Sequence, residues 1–515
     1  MAATLLWPRF ATETLGLHGT VLPSPSCSSD WPALGRVRPL ATASIGKRLH
    51  HLVAAWQASV GWGKNFQVWL GGARWVYIAD LTDGRYLTQR LNPPRAPKIM
   101  RWFGELITPR MVFLVGNEEH VKVRKIAHMA LLTSATADTV TAAVGDLLLS
   151  GTPGSPSGSA RSYQGKVLDA AIAAGDPLDL DAWAVDVTLG VMFRVLFSET
   201  PPREVVDGTR HAMSEWIDAM SLVTGMPTPA VMSFGARRRI RAAGDWLVDL
   251  FEAAVGRRRA AWANGSRPVP PPAGAPEPPE GLDMLDVMLR DRDGGGIYAG
   301  DERRLYADLA MYLLGGHDTT AHSLAFAIHA LTSHPDVEAR LLAEADAQLP
   351  PAPHTVTPRD LPNLPYLDAV WKETMRLFPI AALGTMRQLT GDTKLPSGAV
   401  LPAGTLITMP IITSHHNPEV FPRPAEFLPD RWLPAGLGDG SPPPPRAAWI
   451  PFQVGPRSCS GQLVAVTQFK AGLVSLLRAY RFKVAPPLPG GEGVWDASVM
   501  TLRPVNLRVI VQHRT

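Results

Sequence analysis

Cysteine is nearly absent from this chain, which contains only Cys27 and Cys459 among 515 residues. So small a number excludes a disulfide-rich scaffold. No Cys-x-x-Cys or Cys-x-x-His cluster indicates a zinc site or a c-type haem attachment. A disulfide between two cysteines this far apart would be unusual in a chain with so few of them. Cys459 is therefore a candidate free thiolate.

A strong excess of one charge and a long apolar run are both lacking. The net charge of +4 is too weak and too dispersed to indicate a nucleic-acid partner. In the leader, residues 1–45, Pro8, Arg9 and Glu13 interrupt the first apolar stretch before it could cross a bilayer. The leader is rich in Ser, Thr, Ala and Arg, which suits either an organellar transit peptide or a loosely packed segment.

What the chain does contain is helical periodicity. Apolar positions recur three and four residues apart over 181–199, 203–222 and 237–260, which predicts amphipathic helices. Strand-like segments on either side of Gly71-Gly72 predict a β-hairpin. The fold class expected is therefore mainly α with small β-sheets (α+β).

Two segments, near 151–161 and near 267–280, are rich in Pro, Gly and Ser and predict surface loops. Apolar helical patterns resume after both of them. Neither segment therefore needs to end a domain.

A long apolar helix is predicted over residues 301–335, running through the core. The pair Gly315-Gly316 and the run Asp318-Thr319-Thr320 do not suit a simple packing role, because glycine is costly in a helix and short polar residues favour caps and turns. Glycine lets another body approach the backbone, and a threonine hydroxyl can bond to a carbonyl one turn earlier. The alternative is an exposed turn capped by Asp and Thr.

A buried ionic lock is predicted from Glu373 and Arg376, which share one face of a helix over 366–379. Alone, this spacing is that of an ordinary surface ion pair. Apolar neighbours and a second arginine, Arg431 in "EFLPDRW", favour a glutamate held between two arginines. Such a lock would fix a long segment that lacks regular structure.

The last motif, "FQVGPRSCSG", places Phe452, Gly455, Arg457, Cys459 and Gly461 in the pattern FxxGxRxCxG. It is preceded in order by GGHDTT, ExxR and PxRW. Together these motifs resemble the haem-binding region of the cytochrome P450 superfamily, in wording closest to its eukaryotic microsomal type. The resemblance implies the cytochrome P450 fold over residues 46–515, with the long central helix over a buried haem.

For the cysteine loop, the resemblance implies a haem b (iron protoporphyrin IX) ligated by Cys459. A thiolate ligand donates electron density to the iron and favours O–O cleavage. Gly455 and Gly461 would leave room where the loop and the following helix press against the porphyrin, and Phe452 would pack beside the ligand.

Further cofactor contacts are implied outside the motif. Arg457 would pair with a haem propionate, and His120 with Arg124 in "HVKVR" resembles the family's WxxxR or HxxxR element. Arg387 resembles another propionate-binding arginine. On the long helix, Asp318 and Thr319 would relay protons during oxygen activation.

These roles imply a haem-thiolate monooxygenase that inserts one atom of O2 into an apolar lipid, terpenoid or xenobiotic-like substrate, by hydroxylation or epoxidation. Electrons would come from NADPH through a flavoprotein reductase or a ferredoxin-type partner, and Lys122 and Lys125 are either its docking face or a solvated surface. By resemblance, Leu313-Leu314, Ala381-Ala382 and Met500 are among the residues that would line the substrate pocket.

Two alternatives remain open: a peroxide-rearranging haem-thiolate isomerase or dehydratase, and a non-catalytic haem-binding sensor. The Asp318-Thr319 pair favours the monooxygenase over the first of these. We expect the protein at the endoplasmic reticulum membrane surface, through peripheral association, or in an organelle reached by the transit-like leader.

Overall fold

The structure is a computed structural model and describes residues 49–70, 73–96, 103–149, 162–223, 230–271, 281–441, 443–487, 492–498 and 500–514. The predicted leader, the loop at 151–161, the Gly71-Gly72 turn and most of the second Pro-rich loop lie outside these residues. No helix in the described ranges is both long enough and apolar enough to cross a bilayer.

Helices make up most of the described chain, which confirms the predicted fold class. In chain order they are α1 Leu49–Val60, α2 Leu81–Arg85, α3 Asn117–Leu131, α4 Ser134–Leu149, α5 Tyr163–Ala174, α6 Leu180–Phe197, α7 Arg203–Val223, α8 Ala230–Ala263, α9 Met284–Asp293, α10 Glu302–Thr332, α11 Pro335–Gln348, α12 Pro365–Leu377, α13 Ile411–His415 and α14 Gln462–Ala479. A π-helical turn over Tyr86–Leu91 continues α2, and 3-10 turns cover Leu361–Asn363 and Pro429–Trp432.

Short strands form small sheets beside the helices. They are β1 Phe66–Leu70, β2 Ala73–Tyr77, β3 Leu178–Asp179, β4 Arg387–Gln388, β5 Thr393–Lys394, β6 Val400–Leu401, β7 Leu406–Thr408, β8 Tyr480–Val484, β9 Trp495–Ser498, β10 Leu502–Val505 and β11 Arg508–His513. The orders are β1-β2-β7-β4, β3-β11-β8, β9-β10 and β5-β6. β1 and β2 pair antiparallel, as the predicted hairpin requires.

The central helix α10 runs without a break through residues 315–320, so the exposed-turn alternative is wrong. Helix α6 packs closely against it at this point. The Thr188 hydroxyl donates to the His317 carbonyl at 3.0 Å, and a Cβ added to Gly316 would stand 2.2 Å from the sulfur of Met192. A side chain at position 316 would therefore have to displace the flexible side chain of Met192.

The carboxylate of Glu373 lies fully buried on α12 and is surrounded by donors. Arg376 binds it through two nitrogens, at 2.8 and 2.9 Å, and Arg431 Nε donates at 3.1 Å. The indole N–H of Trp432 and the backbone N–H of Leu428 also donate to it, each at 2.9 Å. Two arginines therefore share one carboxylate whose remaining lone pairs are satisfied.

The same arginines support the irregular segment between α13 and Trp432. Their other nitrogens donate to backbone carbonyls of that segment and its neighbour: Arg376 to His415, Pro424 and Glu426, and Arg431 to Pro422 and Arg423. Buried carbonyls without a helix or sheet partner need such donors. The structure thus brings Glu373, Arg376 and Arg431 together as the sequence predicts.

Replacing Glu373 with Gln should destabilise the fold strongly, because the shape is kept while two buried guanidinium groups lose their only carboxylate. Breaking a buried ion pair by removing one partner costs about 3–5 kcal/mol. Chemical denaturation of the E373Q variant against the unmodified protein measures this loss.

Asp368 provides a matched control on the same helix. Its carboxylate contacts Lys372 and Lys470, each at 2.6 Å, and is partly exposed. The D368N variant should therefore lose clearly less than E373Q, because Lys372 is partly exposed and the ammonium of Lys470 also lies over the ring of Trp371. Equal losses for E373Q and D368N would contradict the lock.

Candidate active site

Cys459 lies in a tight loop that leads directly into α14. The Cys459 N–H donates to the Phe452 carbonyl at 2.9 Å, and the Ser458 N–H donates to the Gly455 carbonyl at 3.0 Å. Helix α14 begins at Gln462 without a side-chain cap. The free N–H groups of a helix N-terminus carry partial positive charge, which favours a nearby thiolate.

The thiol of Cys459 is surrounded by protein yet keeps accessible surface. Burial raises its pKa, while a hydrogen bond from the Gly461 N–H and the positive charge of Arg124 act to lower it. Cys459 thus faces an internal cleft rather than the outer surface. Such a thiol becomes a thiolate when a cation, such as a metal ion, lies against its sulfur.

The two glycines of the loop differ in their surroundings. Gly455 has φ +89°, and a Cβ there would stand 2.4 Å from the carbonyl oxygen of Thr88. The close neighbour of Gly455 is therefore the π-helical turn that follows α2, and its predicted role beside the porphyrin stays a prediction. An added Cβ on Gly461 would meet only the sulfur of Cys459, at 4.0 Å. Gly461 therefore borders open space beside the thiol.

Phe452 fixes the loop to α12. Its ring lies nearly parallel to that of Trp371, with centroids 6.2 Å apart. Because α12 also carries Glu373, the cysteine loop and the ionic lock rest on the same helix. The structure thus shows Phe452 packed against α12, and its predicted place beside the ligand stays a prediction.

Four arginines from separate parts of the chain converge beside the loop: Arg95, Arg124, Arg387 and Arg457. Burial lowers the pKa of Arg95 well below its ordinary value, and the charges of Arg387 and Arg457 lower it further. Burial, together with Arg387 and Arg124, lowers the pKa of Arg457 to about 10. Each guanidinium therefore feels the charge of others.

Neutral protein groups accept the hydrogen bonds of these arginines. Arg457 donates to the Val115 carbonyl at 2.6 Å and to Asn117 at 3.1 Å, Arg387 donates to Asn92 at 2.7 Å and to the Pro93 carbonyl at 2.9 Å, and Arg124 donates to the carbonyls of Pro456 and Ser458. Arg95 lies over the ring of Phe113, 3.6 Å from its centroid. Within the described ranges, none of the four forms an ion pair with a carboxylate.

Buried donors in this group are left without partners. Arg95 Nε and Nη1 and Arg457 Nη1 are buried and form no hydrogen bond with the described residues. Arginine keeps its proton even when buried, so such a group calls for an anion. Two carboxylates beside a thiolate ligand are what a haem presents, and the donor set therefore fits its propionates.

His120 is buried one helical turn before Arg124 on α3. Burial lowers its pKa to about 3, and the charges of Arg457, Arg124, Arg95 and Arg387 act in the same direction. The imidazole is therefore neutral and can donate one hydrogen bond. Arg124 donates to the backbone of the cysteine loop, and its predicted contact with a propionate stays a prediction.

Arg95 was missed by sequence reasoning. It lies in "NPPRAPK", which matches no motif, and it reaches the cluster through an isolated β-bridge with Arg387. Two residues 292 positions apart in sequence give no local pattern that predicts their contact. Only its place between prolines, in an otherwise apolar surround, hinted at a fixed position.

The middle of α10 carries an accessible strip in a helix that is otherwise largely buried. Gly315 is exposed and Thr319 is partly exposed. The Thr319 hydroxyl donates to the Gly315 carbonyl at 2.9 Å, as its position one turn later allows. A Cβ added to Gly315 would meet no atom within 4 Å, so small molecules can approach the backbone here.

Asp318 does not share this strip with Thr319. It is buried, and its carboxylate accepts a hydrogen bond from the Thr501 hydroxyl at 2.6 Å and contacts His322 Nε2 at 3.1 Å. The structure therefore separates the predicted pair, with Thr319 at the accessible strip and Asp318 within a polar network on another side of α10.

Comparison with known proteins agrees with this geometry. The family described as Cytochrome P450 matches residues 25–489, a range that begins within the predicted leader. Cyclooctat-9-en-7-ol 5-monooxygenase of Streptomyces melanosporofaciens is 30% identical over 346 residues, which cover 64% of this chain and 68% of that protein. Human Cytochrome P450 4F2 is 35% identical over 206 residues, which cover 40% of this chain but only 38% of that protein.

Among solved structures, retinoic acid-bound cyanobacterial CYP120A1 is similar to this chain with a TM-score of 0.68. The match covers 89% of this chain and 93% of the cyanobacterial chain at 21% identity. At that identity the likeness concerns the fold alone.

Substituting Gln for Arg95 should weaken haem retention, because a buried charge that faces the propionates is removed. A hydrogen bond to a charged group contributes about 1.5–3 kcal/mol, so transfer of haem to apomyoglobin should become faster by roughly tenfold or more. Arg90 is exposed in the same segment, and the R90Q variant serves as the control with unchanged transfer. Equal transfer rates for R95Q and R90Q would show that Arg95 does not hold the cofactor.

Proposed function

The chain belongs to the cytochrome P450 family of monooxygenases, and on that premise we propose that it inserts one atom of O2 into an apolar organic substrate. The observation that carries the proposal is the accessible Cys459 thiol beside buried arginines that have no carboxylate partner among the described residues. The family implies a haem, which would supply the iron-centred oxidation of substrate that a thiolate ligand promotes.

Each part of the site has a separate task in this proposal. Cys459 would ligate the iron, and Arg95, Arg387 and Arg457 would hold the propionates together with the neutral imidazole of His120. Gly315 leaves space for O2 and substrate along the accessible strip of α10. The Thr319 hydroxyl stands at that strip and passes protons to the reacting oxygen, which decides between product and hydrogen peroxide.

An apolar substrate is supported by the segments that meet α10 near Asp318. The Leu502 N–H donates to the Ile380 carbonyl at 2.7 Å, and Thr501 reaches Asp318. The partly accessible Ala381 and Met500 flank these contacts. The Streptomyces relative is named for the oxidation of cyclooctat-9-en-7-ol, and a largely hydrocarbon molecule of this kind suits such a lining.

Other residues expected in the pocket lie in the core instead. Leu313, Leu314 and Ala382 are buried, so these three contribute to packing around the site rather than to accessible lining. Leu313 and Leu314 precede Gly315 by two and one residues, so the helical periodicity places them on other faces of α10.

A redox partner is proposed to dock beside α3, with electrons supplied by NADPH. Lys122 and Lys125 are exposed on this helix, while Arg124 between them reaches the cysteine loop. An acidic partner bound to these lysines would stand close to the thiolate edge of the site. A flavoprotein reductase and a ferredoxin-type protein both fit this charge requirement.

Turnover with NADPH and a flavoprotein reductase tests the proposal. Oxygen uptake, oxygenated product and hydrogen peroxide are measured over a panel of apolar terpenoids, fatty acids and sterols. The unmodified protein should form a product that carries one atom of labelled O2. Replacing Thr319 with Ala should keep the haem and divert electrons to peroxide by roughly tenfold or more, within the usual range for proton-transfer catalysis.

Thr332 gives a matched control near the end of α10, because its hydroxyl also donates to a backbone carbonyl of the same helix, that of His329, at 2.7 Å. The T332A variant should match the unmodified protein. Absence of oxygen uptake across the panel would overturn the monooxygenase. Conversion of organic hydroperoxides without a reductase would support the peroxide-rearranging alternative, and haem binding without either reaction would support a sensor.

A further inference from the structure

His322 lies one turn after Asp318 on α10 and is almost fully buried, with 3% of its surface exposed. Its two ring nitrogens contact carboxylates on opposite sides. Nε2 is 3.1 Å from Asp318 Oδ1, and Nδ1 is 2.7 Å from Asp181 Oδ1 in the first turn of α6. His322 therefore connects the central helix to a second helix through charge.

The other oxygen of Asp318 is also engaged. Asp318 Oδ2 accepts the hydroxyl proton of Thr501, at 2.6 Å. Thr501 immediately precedes β10, so three separate segments of the chain meet at this carboxylate. With Thr501 and His322 both in place, the carboxylate does not point toward the accessible strip of α10 that carries Thr319.

Among the described residues, few charged groups act on this pair. Those that face His322 are Asp318 and Asp181, and those that face Asp318 are His322 and His317. Burial disfavours the charged imidazole, but the two carboxylates outweigh it and raise the pKa of His322 to about 10. Burial likewise acts to raise the pKa of Asp318, and the charge of His322 instead holds it below its ordinary value.

We propose that His322, held in turn by Asp181, is the positioning residue that keeps Asp318 ionised and turned toward Thr501. The positioning role follows from these contacts alone, and only its effect on turnover rests on the proposed monooxygenase function. A charged Asp318 locked in this way cannot donate a proton until the ion pair opens. Opening of the pair thus controls when Asp318 takes part in proton delivery to Thr319.

Removing the imidazolium should release Asp318 from this state. Burial alone raises a carboxyl pKa by up to about 3–5 units when no cation compensates. In the H322Q variant, Asp318 should therefore bind a proton at a pH where the unmodified protein holds a carboxylate. The change concerns Asp318 itself, so it can be measured without turnover.

Infrared difference spectra of the holoprotein between about pH 5 and 9 test this directly. Four proteins are compared: unmodified, H322Q, D318N and the double variant H322Q/D318N. An additional protonated-carboxyl band that titrates in this range should distinguish H322Q from the other three proteins. Asp186 and Asp308, whose pKa values burial raises to about 6 and about 7, remain in all four proteins and cancel in the comparison.

The proposal would be overturned if the additional band persisted in the double variant or were absent from H322Q. The H322K variant should restore the unmodified spectrum because it keeps a cation near Asp318. If H322Q is too unstable for spectroscopy, the sign of the D318N effect decides. Measured above the raised pKa of Asp318, D318N should destabilise the unmodified protein but stabilise the H322Q background, where it removes an unpaired buried charge.

The consequence for turnover is measured separately. With reductase and substrate, the peroxide fraction of H322Q relative to the unmodified protein should vary with pH, since the protonated fraction of Asp318 falls about tenfold per pH unit above its pKa. That dependence should vanish in H322Q/D318N.

His329 is a partly buried histidine on the same helix. Its pKa is lowered by burial, and no described carboxylate acts on it. The H329Q variant should show no such dependence on pH. A pH-independent ratio for H322Q, despite the expected infrared band, would overturn the link to proton delivery. Failure of the protein to oxygenate any substrate would leave the infrared result to decide the positioning role.

Discussion

Arg95, Arg387 and Arg457 are drawn together beside the cysteine loop, and the protein supplies them with carbonyls, an amide and an aromatic ring but no described carboxylate. Mutual repulsion and burial both oppose this arrangement. It becomes favourable when an anion is held among the guanidinium groups. The cysteine loop, the π-helical turn and the edge of β4 are therefore organised around negative charge that a propionate-bearing cofactor brings.

The ionic lock has the opposite logic, because its charges are balanced inside the protein. Glu373 holds Arg376 and Arg431, and these arginines satisfy the carbonyls of a segment that has little regular structure. Through α12 the lock also supports Trp371, which packs on Phe452 of the cysteine loop. A fixed loop holds the Cys459 sulfur in one position, and the arginines that lack a described carboxylate partner lie around it.

The parts of this arrangement that follow from local pattern could be predicted from the sequence. Apolar spacing located α10, and the three-residue interval between Glu373 and Arg376 indicated one helical face. The motif spacing indicated Cys459 and Arg457, and a resemblance outside that motif indicated Arg387. Contacts between distant segments gave no such pattern: Asp181 and His322 are 141 residues apart, and Asp318 and Thr501 are 183 residues apart. The sequence therefore did not show that Asp318 faces His322 and Thr501. Nor did it show that Gly455 lies against the backbone of Thr88, which belongs to no motif.

The thiolate is the claim on which the rest of the account depends, and carbon monoxide binding to the reduced holoprotein tests it most directly. The unmodified protein should show the strongly red-shifted Soret band of haem with a thiolate opposite the bound carbon monoxide. The Cys459→Ala variant should lose that band, while circular dichroism shows that its helices are retained. A red-shifted band that survives in the variant would contradict the assignment of Cys459 as the ligand.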